Sequence, residues 1–330
     1  MNLRINDIAK MISMGLILPI ILCVLVWRAR QHLHDPYPPS SLPQDTLPST
    51  SEPAPKSYLI SLEYAGQTQL IELEHYLVGV VLAEMPASFE LEALKAQAVA
   101  ARTYAIKHTM RSTRHDDHTI CADHTCCQAY IDPAEYIADG GSQSSVDRVC
   151  RAVEETKSQV LIYDGQLIDA TYFSCSGGAT ENAVAVWGRD IAYLQSVPSP
   201  GEEDATYFTD QKIFTPEELQ TALGIRLNSA VNTWFSDVSY TAGGGVDQMT
   251  IGGVSYRGTT LRTLLGLRST AFSVSIRNNL IIVQTSGYGH RVGMSQYGAN
   301  ARAKEGKVYS EILTYYYCGV ELVQYFEAEA

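Results

Sequence analysis

One carboxylate of this 330-residue chain, Glu84, stands in a sequence setting that could perform acid–base chemistry. It lies at the end of a predicted helix, shortly before Pro86. Its neighbours Leu82, Met85 and Phe89 are apolar. An apolar pocket disfavours the charged form of a carboxyl group and raises its pKa toward the range of a general acid. A solvated glutamate that ends a helix and has no chemical role is the alternative.

Two cations of the next predicted helix could oppose that effect on Glu84. Lys95 and Arg102 are seven residues apart, which places them on one helical face, two turns from each other. If this face points at Glu84, the positive charges favour the carboxylate and hold its pKa down. The sequence leaves open which effect dominates.

A dense group of imidazoles and thiols follows in the stretch HDDHTICADHTCC. Its members are His115, His118, Cys121, His124, Cys126 and Cys127. Thiolates and imidazoles together are a ligand set for Zn²⁺, and the separation of Cys121 from Cys126 is typical of zinc sites. Disulfides are the alternative for a body outside the cytoplasm. The pattern favours a metal, because adjacent cysteines pair poorly with each other and histidines have no role in a disulfide.

Cys175 is a second candidate for chemistry. It lies between Ser174 and Ser176, where a predicted strand enters a glycine turn. A cysteine nucleophile with His290 as its base is one interpretation. We expect core packing instead, because no electropositive helix start that would activate the thiol is evident nearby.

The segment GYGHRVGMSQYG, residues 287–298, combines four glycines with polar groups. Glycines allow a close approach of the backbone to a neighbouring group. His290, Gln296 and Tyr297 supply hydrogen-bonding and stacking side chains. A structural loop that caps a helix is the alternative interpretation.

These segments must be positioned by a mixed set of strands and helices. Apolar patterning gives no regular βαβ series and no internal linker after residue 57, so we expect a single α+β body. The predicted strands are 58–64, 69–73, 160–163, 167–173, 231–240, 248–251, 272–276, 280–284 and 321–325. Asp164-Gly165, between two of these strands, predicts a hairpin. The predicted helices are 74–83, one that begins after an N-cap at Ser88, 216–223, 295–303 and 310–316.

The first 56 residues predict an anchor and a tether. Residues 11–27 carry no charge and would span about 26 Å as a helix, the short end of a membrane crossing. No small-residue cleavage site follows, so we expect a retained anchor within residues 1–30, not a cleaved signal peptide. Residues 31–56 are rich in proline and serine and predict an extended linker. The body then occupies 57–330.

The charge balance excludes one class of partner. The formal net charge is −12, and residues 1–56 hold five basic and four acidic residues, so residues 57–330 carry −13. A nucleic-acid-binding protein would show a basic stripe, so we expect no nucleic acid partner. An acidic body must meet an anionic partner through a few placed cations. The expected ones are Lys95, Arg102 and Arg291.

Two long strings carry a resemblance to a known family. They are HYLVGVVLAEMPASFELEALKAQAVAARTYA and GYGHRVGMSQYGA, and the Tyr-Phe-Ser-Cys-Ser-Gly-Gly segment lies between them. Together they resemble the SpoIID/LytB family of peptidoglycan lytic transglycosylases, from about residue 58 to residue 323. The resemblance implies a membrane-anchored enzyme with its N-terminus in the cytoplasm and its body outside. It would cut glycan strands in septal thinning and engulfment during endospore formation.

The resemblance also implies roles for individual residues. The glutamate of the family's Ala-Glu-Met-Pro motif corresponds to Glu84, the expected catalytic acid. The expected substrate-binding residues are Lys95, Gln97, Arg102, Tyr172, Ser174, Ser176, His290, Gln296 and Tyr297. Arg291 stands where the family's G-H-G-x-G-M-S-Q segment has its second glycine. Some members bind zinc through His-x5-Cys-x4-His-Cys, which implies a structural zinc on His115, Cys121, Cys126 and Cys127, with His118 and His124 as rival ligands.

The expected reaction is cleavage of the MurNAc–GlcNAc bond in glycan strands freed of stem peptides. A glycosidase that uses water as the acceptor needs two carboxylates, whereas an internal C6 hydroxyl as nucleophile needs one. Glu84 would protonate the glycosidic oxygen and then accept the C6 hydroxyl proton, which leaves a 1,6-anhydro end. The expected partners are a peptidoglycan amidase or endopeptidase and the membrane scaffold of the engulfment machinery. The alternative function is a non-catalytic, wall-binding enhancer of an amidase.

Overall fold

The computed structural model describes residues 58–110, 115 and 119–325. They belong to a unit that spans Lys56–Ala330 and is distinct from Met1–Pro55. The predicted anchor at 11–27 and linker at 31–56 lie outside the described residues. Within the described part of the chain, no helix has both the length and the apolar composition that a membrane crossing needs.

The described residues form a mixed body of nine α-helices and sixteen strands, which confirms the predicted α+β class. The helices are α1 (Leu73–Glu84), α2 (Leu91–Met110), α3 (Pro133–Ala138), α4 (Gln143–Glu154), α5 (Ala183–Trp187), α6 (Pro216–Leu223), α7 (Gly258–Leu264), α8 (Gln296–Lys304) and α9 (Tyr309–Tyr316). The strands are β1 (Leu59–Tyr64), β2 (Gln67–Glu72), β3 (Ile120–Cys121), β4 (Gln159–Tyr163), β5 (Gln166–Leu167), β6 (Tyr172–Phe173), β7 (Gly178–Ala179), β8 (Pro198–Ser199), β9 (Thr209–Phe214), β10 (Phe235–Tyr240), β11 (Val246–Ile251), β12 (Val254–Arg257), β13 (Phe272–Arg277), β14 (Leu280–Ser286), β15 (Met294–Ser295) and β16 (Glu321–Gln324).

The main core is built around α2, which packs against α1, α4, α8, α9 and β4. Its alanines are good helix formers, and their small side chains let these neighbours approach closely. In α1, Gly79 serves the same purpose, because a Cβ there would lie 2.3 Å from the ring of Tyr130. Close packing around both helices fixes the end of α1, where Glu84 lies.

Short sheets complete the main body. β1 pairs with β2 in antiparallel fashion through a turn at Ala65-Gly66, and with β3 in parallel fashion. β4 lies between β16 and β5, and the Asp164-Gly165 turn confirms the predicted hairpin there. β15 pairs in parallel with β6. This last pairing joins the glycine-rich segment to the Ser-Cys-Ser segment.

A second hydrophobic core lies within Thr209–Ser286, the stretch from β9 to β14. It is formed by α6, α7 and two three-stranded sheets, with buried residues such as Leu219, Trp234 and Ile281. The body therefore carries an insert with its own core, which the prediction of one undivided α+β body did not anticipate. No glycine- or proline-rich linker marks its borders, so no local sequence pattern indicated the insert.

Several predicted boundaries are wrong for identifiable reasons. α2 begins at Leu91, and Ser88 lies in the preceding turn, so Ser88 is not its N-cap. The predicted strand 167–173 is two short strands, because β6 leaves the hairpin to pair with β15. The predicted strand 231–240 starts with a 3₁₀ turn, Val231–Thr233. The helices α3, α4, α5 and α7 were not predicted, nor were the strands β3, β7, β8, β9, β12 and β15.

Candidate functional site

A cleft with a volume of about 180 Å³ forms where the end of α1, the turn after β6 and the start of α8 meet. The residues that line it are Glu84, Pro86, Phe89, Ser174, Thr206, Tyr207, Tyr288, Gln296 and Tyr297. Glu84 is the only carboxylate among these nine. Acid–base chemistry in this cleft therefore depends on one group.

Both carboxylate oxygens of Glu84 accept hydrogen bonds from the protein. The amide of Ala129 donates to Oε1 over 3.2 Å, and Nε2 of Gln296 donates to Oε2 over 3.1 Å. Burial nevertheless raises the pKa of Glu84 above its ordinary value, since desolvation outweighs these two bonds and the smaller effect of His124. The desolvated-acid interpretation is thus favoured over a solvated helix end. A carboxyl with a raised pKa can donate a proton.

A buried glutamine fixes the backbone that holds Glu84. The side chain of Gln128 accepts a hydrogen bond from the hydroxyl of Tyr76 over 3.1 Å and donates one to the hydroxyl of Tyr172 over 2.7 Å. Burial, with a contribution from the nearby Glu84 charge, raises the pKa of Tyr172 well above its ordinary value. Tyr172 therefore stays neutral. It braces the segment that precedes Ala129 and is not among the residues that line the cleft.

The start of α8 supplies the opposite wall. The hydroxyl of Ser295 caps this helix by accepting a hydrogen bond from the amide of Gly298 over 3.2 Å. That cap places Gln296 at the first helical position, within reach of Glu84. Tyr297 donates its amide to the carbonyl of Ser174 over 3.0 Å, and its ring contacts Phe89 edge-on at 4.9 Å.

The glycines of the 287–293 segment approach the chain itself. A Cβ on Gly287 would lie 2.7 Å from the carbonyl of Ser176, and one on Gly293 would lie 2.1 Å from the carbonyl of Thr171. Their role is therefore to let this loop pack on the segment around β6. Arg291, at the position of a family glycine, takes the left-handed conformation that glycine favours, with φ at +66°.

Arg291 is a structural anchor, which corrects the expectation that its charge faces the cleft. Its side chain is 1% exposed, and Nη1 lies 3.0 Å from Oε1 of the equally buried Glu181. Its other nitrogens donate to the carbonyls of Ser176 and, over 2.5 Å, Gly243. Gly243 belongs to the insert, so Arg291 ties the glycine-rich loop to it.

The two cations of α2 are also engaged elsewhere, contrary to prediction. Arg102 is fully buried and forms a two-point ion pair with Glu74, at 3.0 Å and 2.5 Å. Lys95 lies 2.8 Å from Glu92 and 2.6 Å from Glu155. Carboxylates in the fold thus neutralise both cations. They do not line the cleft or act on Glu84.

Three other predicted substrate-binding residues are not among the residues that line the cleft. Ser176 is fully buried and donates its hydroxyl to Glu202 over 3.0 Å. Gln97 is also fully buried, and its amide has no hydrogen-bond partner among the described residues. His290 packs against the rings of Phe173 and Trp187, and burial lowers its pKa to about 4. The expectation that these three residues line the cleft is therefore corrected. The predicted residues Ser174, Gln296 and Tyr297 do line it.

Cys175 is unsuited to be a nucleophile. It is fully buried, and burial raises the pKa of its thiol to about 11. Its thiol faces the carbonyl of Tyr207, with Sγ and O 3.8 Å apart. The reactive form of cysteine is the thiolate, so this environment supports the core-packing interpretation.

The structure brings together the four predicted metal ligands. One ligand atom from each of His115, Cys121, Cys126 and Cys127 lies within 4.8 Å of all the others. Nε2 of His115 is 3.5 Å from both Sγ atoms of Cys126 and Cys127, which are 3.9 Å apart. Tetrahedral zinc with ordinary Zn–S bonds requires sulfur separations of about 3.8 Å, so the donor set fits zinc.

Of the two rival ligands, the one that the structure describes does not join this group. His124 is solvent-exposed, with its side chain 76% accessible, and is not part of the cluster. His118 lies outside the described residues.

Sequence reasoning missed three of the cleft residues. They are Thr206, Tyr207 and Tyr288. Thr206 and Tyr207 precede the insert and Tyr288 follows it, so they meet only because β9 and β14 pair. Tyr288 lies inside the glycine-rich segment, and this is the one signal that could have indicated it.

Comparison with known proteins is consistent with these motifs. A family model described as stage II sporulation protein, SpoIID, matches residues 63–163. Stage II sporulation protein D of Bacillus subtilis (strain 168) is 37% identical over 289 residues, which cover 86% of this chain and 83% of that protein. The Bacillus amyloliquefaciens protein of the same name is 37% identical over 256 residues, or 76% of this chain and 74% of its own length.

A further relative carries a different name. The amidase enhancer of Bacillus subtilis (strain 168) is 33% identical over 302 residues, which cover 76% of this chain and 40% of that protein. The two sporulation proteins match most of their own length and most of this chain. The chain therefore belongs to the SpoIID family of sporulation proteins.

Proposed function

We propose that the chain is a lytic transglycosylase that cleaves the MurNAc–GlcNAc bond of peptidoglycan glycan strands. The observation that carries this proposal is Glu84, the one carboxylate among the described residues that line the cleft, with its pKa raised by burial. Hydrolysis by the usual retaining or inverting routes requires two carboxylates that flank the bond. An internal nucleophile removes the need for the second one.

The proposed reaction uses one proton carrier twice. Protonated Glu84 donates its proton to the glycosidic oxygen as the bond from that oxygen to C1 of MurNAc breaks, and the GlcNAc leaves as an alcohol. The resulting Glu84 carboxylate then accepts the proton of the MurNAc C6 hydroxyl, whose oxygen bonds to C1. The products are a 1,6-anhydro end and a free GlcNAc end, and Glu84 is protonated again.

The hydrogen bonds to Glu84 suit both halves of this cycle. Gln296 and the Ala129 amide stabilise the carboxylate once the proton has left, whereas burial favours the acid beforehand. The net rise in the pKa of Glu84 brings its two protonation states closer in free energy near neutral pH than in an ordinary glutamate, as a group that gives and retakes a proton requires. Neither donor needs to move during the cycle.

We further propose that His115, Cys121, Cys126 and Cys127 hold a structural zinc. Four protein donors leave no open position for water, so the metal would supply a cross-link and no reacting group. The cluster lies just before Gln128 and Ala129, and the latter donates to Glu84. Ordering this segment would hold that amide in place.

We also propose the setting implied by the resemblance. Residues 11–27 would anchor the chain in the cell membrane with the N-terminus in the cytoplasm, and residues 31–56 would let the body reach the wall. There it would act on glycan strands freed of stem peptides during endospore formation, together with a peptidoglycan amidase or endopeptidase and the scaffold of the engulfment machinery.

The second candidate function is a wall-binding enhancer of an amidase, which the 33% identity to the amidase enhancer supports. Glu84→Gln in the full-length chain separates the two, with Glu90→Gln as the matched control, since Glu90 lies in an exposed position of the following turn. We expect E84Q to abolish release of anhydro products and E90Q to leave it unchanged. An E84Q protein that cleaves at the wild-type rate refutes the proposal. A wild-type protein that cleaves no strand but accelerates an amidase supports the second candidate.

A further inference from the structure

We propose that Arg268, Tyr207 and Tyr288 form a subsite for a sugar that carries a free carboxylate. This inference rests on the proposed function, because it assigns the group of the glycan that this part of the cleft reads. Arg268 belongs to the insert, and both tyrosines line the cleft that contains Glu84.

The three side chains form one packed unit. The guanidinium carbon of Arg268 lies 3.7 Å from the ring centroid of Tyr207 and 4.9 Å from that of Tyr288. The two rings meet edge-on with centroids 5.5 Å apart. Stacking on two rings holds the planar guanidinium in one orientation, which lowers the entropic cost of binding a ligand.

Three backbone hydrogen bonds hold this unit in place. The carbonyl of Arg268 accepts the amide of Gly289 over 3.1 Å. The amide of Tyr288 donates to the carbonyl of Cys175 over 2.8 Å, and the amide of Gly287 donates to that of Phe208 over the same distance. Arg268 thus reaches the cleft from the insert. The two tyrosines lie on the chain segments that enter and leave the insert, and these bonds hold both segments in place.

Arg268 retains donors for a ligand. Its Nε lies 3.2 Å from Oδ2 of Asp210, an ion pair whose geometry falls short of a hydrogen bond. Its terminal nitrogens donate no hydrogen bond to the described residues, and the side chain is 29% exposed. Guanidinium nitrogens bind a carboxylate through two parallel hydrogen bonds, so a second carboxylate can be accommodated.

The surrounding negative charge favours a cation at this position. The body carries a net charge of −13, so it repels an anionic glycan unless a cation is placed at the contact. Lys95, Arg102 and Arg291 are neutralised inside the fold. Arg148 also reaches a cleft residue, but it donates to the main-chain carbonyl of Phe89 over 2.6 Å.

The chemistry of the glycan supplies a matching group. The lactyl ether of MurNAc ends in a carboxyl group that is amide-linked, and therefore neutral, while a stem peptide is attached. Removal of the peptide leaves a carboxylate. A cation next to a pair of aromatic rings suits a sugar with this negative charge, because the rings can contact the apolar face of the pyranose.

Binding to the full-length chain tests the subsite. All variants carry Glu84→Gln, so that the probe is not cleaved. The probes are glycan strands freed of stem peptides and the same strands with the lactyl carboxylates converted to primary amides. We expect the parent chain to bind the carboxylate form about tenfold more tightly, as for a hydrogen bond to a charged group. R268Q should bind both forms equally, whereas R277Q, an exposed arginine of the same insert, should keep the preference.

A failure of the proposed subsite can be distinguished from a failure of the proposed cleavage function. A parent chain without the preference, or R268Q with the full preference, overturns the subsite. If R268Q fails to fold, R268K tests the same point, because lysine keeps the positive charge but lacks the paired donors. An undiminished preference in R268K also overturns the proposal. If the parent chain shows the preference while the wild-type protein, with Glu84 intact, cleaves no strand, the proposed function is contradicted and the subsite is supported.

Discussion

The side-chain amide of Gln296 donates a hydrogen bond to Oε2 of Glu84 over 3.1 Å and so joins two residues that are 212 positions apart in the sequence. One lies at the last position of α1 and the other at the first position of α8. The bond stabilises the carboxylate form of a group whose pKa is raised by burial. It therefore sets both the position and the acidity of the proposed catalytic acid.

Removal of this bond should shift the pH dependence of cleavage. Gln296→Ala takes away a donor that lowers the pKa of Glu84, so the pKa rises further and the acid stays protonated to higher pH. We expect kcat/KM to fall roughly tenfold through loss of carboxylate stabilisation, while its decline on the alkaline side moves to higher pH. pH–rate profiles measure both effects. Gln69→Ala, at an exposed position of β2, is the control, and an unmoved alkaline limb in Q296A contradicts this role.

The raised pKa of Glu84 also predicts a pH-dependent stability difference. Ionisation is harder in the folded state, so stability is lost as pH rises from the unfolded pKa of about 4.3 through the higher folded value. Glu84→Gln removes this loss. Urea unfolding should show E84Q to be more stable than wild type at pH 7, with the difference vanishing below about pH 4. A wild-type protein that is the more stable of the two at pH 7 argues against a desolvated carboxyl.

Arg102 should prove essential for folding and not for substrate affinity. Its fully buried guanidinium pairs with Glu74, so Arg102→Gln leaves a carboxylate without its partner and should cost about 3 kcal/mol in the free energy of unfolding. Lys95→Gln breaks a partly exposed pair and should cost less than about 1 kcal/mol. Chemical denaturation measures both. If folded R102Q binds glycan much more weakly than K95Q at matched stability, Arg102 does act in the cleft.

Zinc removal should weaken the segment that holds Ala129. Elemental analysis should find about one zinc ion per chain, and chelation or Cys126→Ala should lower both the melting temperature and the cleavage rate. Cys150→Ser is the control, since this exposed cysteine lies on α4 and outside the cluster. Metal-free, fully active protein with oxidised cysteines would support disulfides instead.

The motifs predicted several of the residues that line the cleft, but they did not predict correctly which cations face it. The cleft is lined by four residues that the motifs indicated, namely Glu84, Ser174, Gln296 and Tyr297. They could be predicted because the motifs include the local turns and helix caps that position them. The patterns could not show which partners neutralise Lys95 and Arg102. Glu155 is remote from Lys95 in the sequence and Glu74 is remote from Arg102, and helical spacing alone does not say which way the face of these cations points.

The insert was missed for a related reason. β9 and β14 pair over a long sequence separation, and the alternation of each strand says nothing of its partner. Tyr207 and Tyr288 become neighbours only through that pairing. Local signals such as the Asp164-Gly165 turn were predictable, and helix 216–223 is observed with the predicted bounds.

The product of wild-type cleavage tests the central claim most directly. The full-length protein is incubated in ¹⁸O-labelled water with glycan strands freed of stem peptides, and the new MurNAc ends are analysed by mass spectrometry. Because the C6 hydroxyl and not water attacks C1, we predict ends that are one water lighter than hydrolysed ends and contain no ¹⁸O. Reducing MurNAc ends labelled with ¹⁸O would show hydrolysis and contradict the proposed role of Glu84 as the single acid and base.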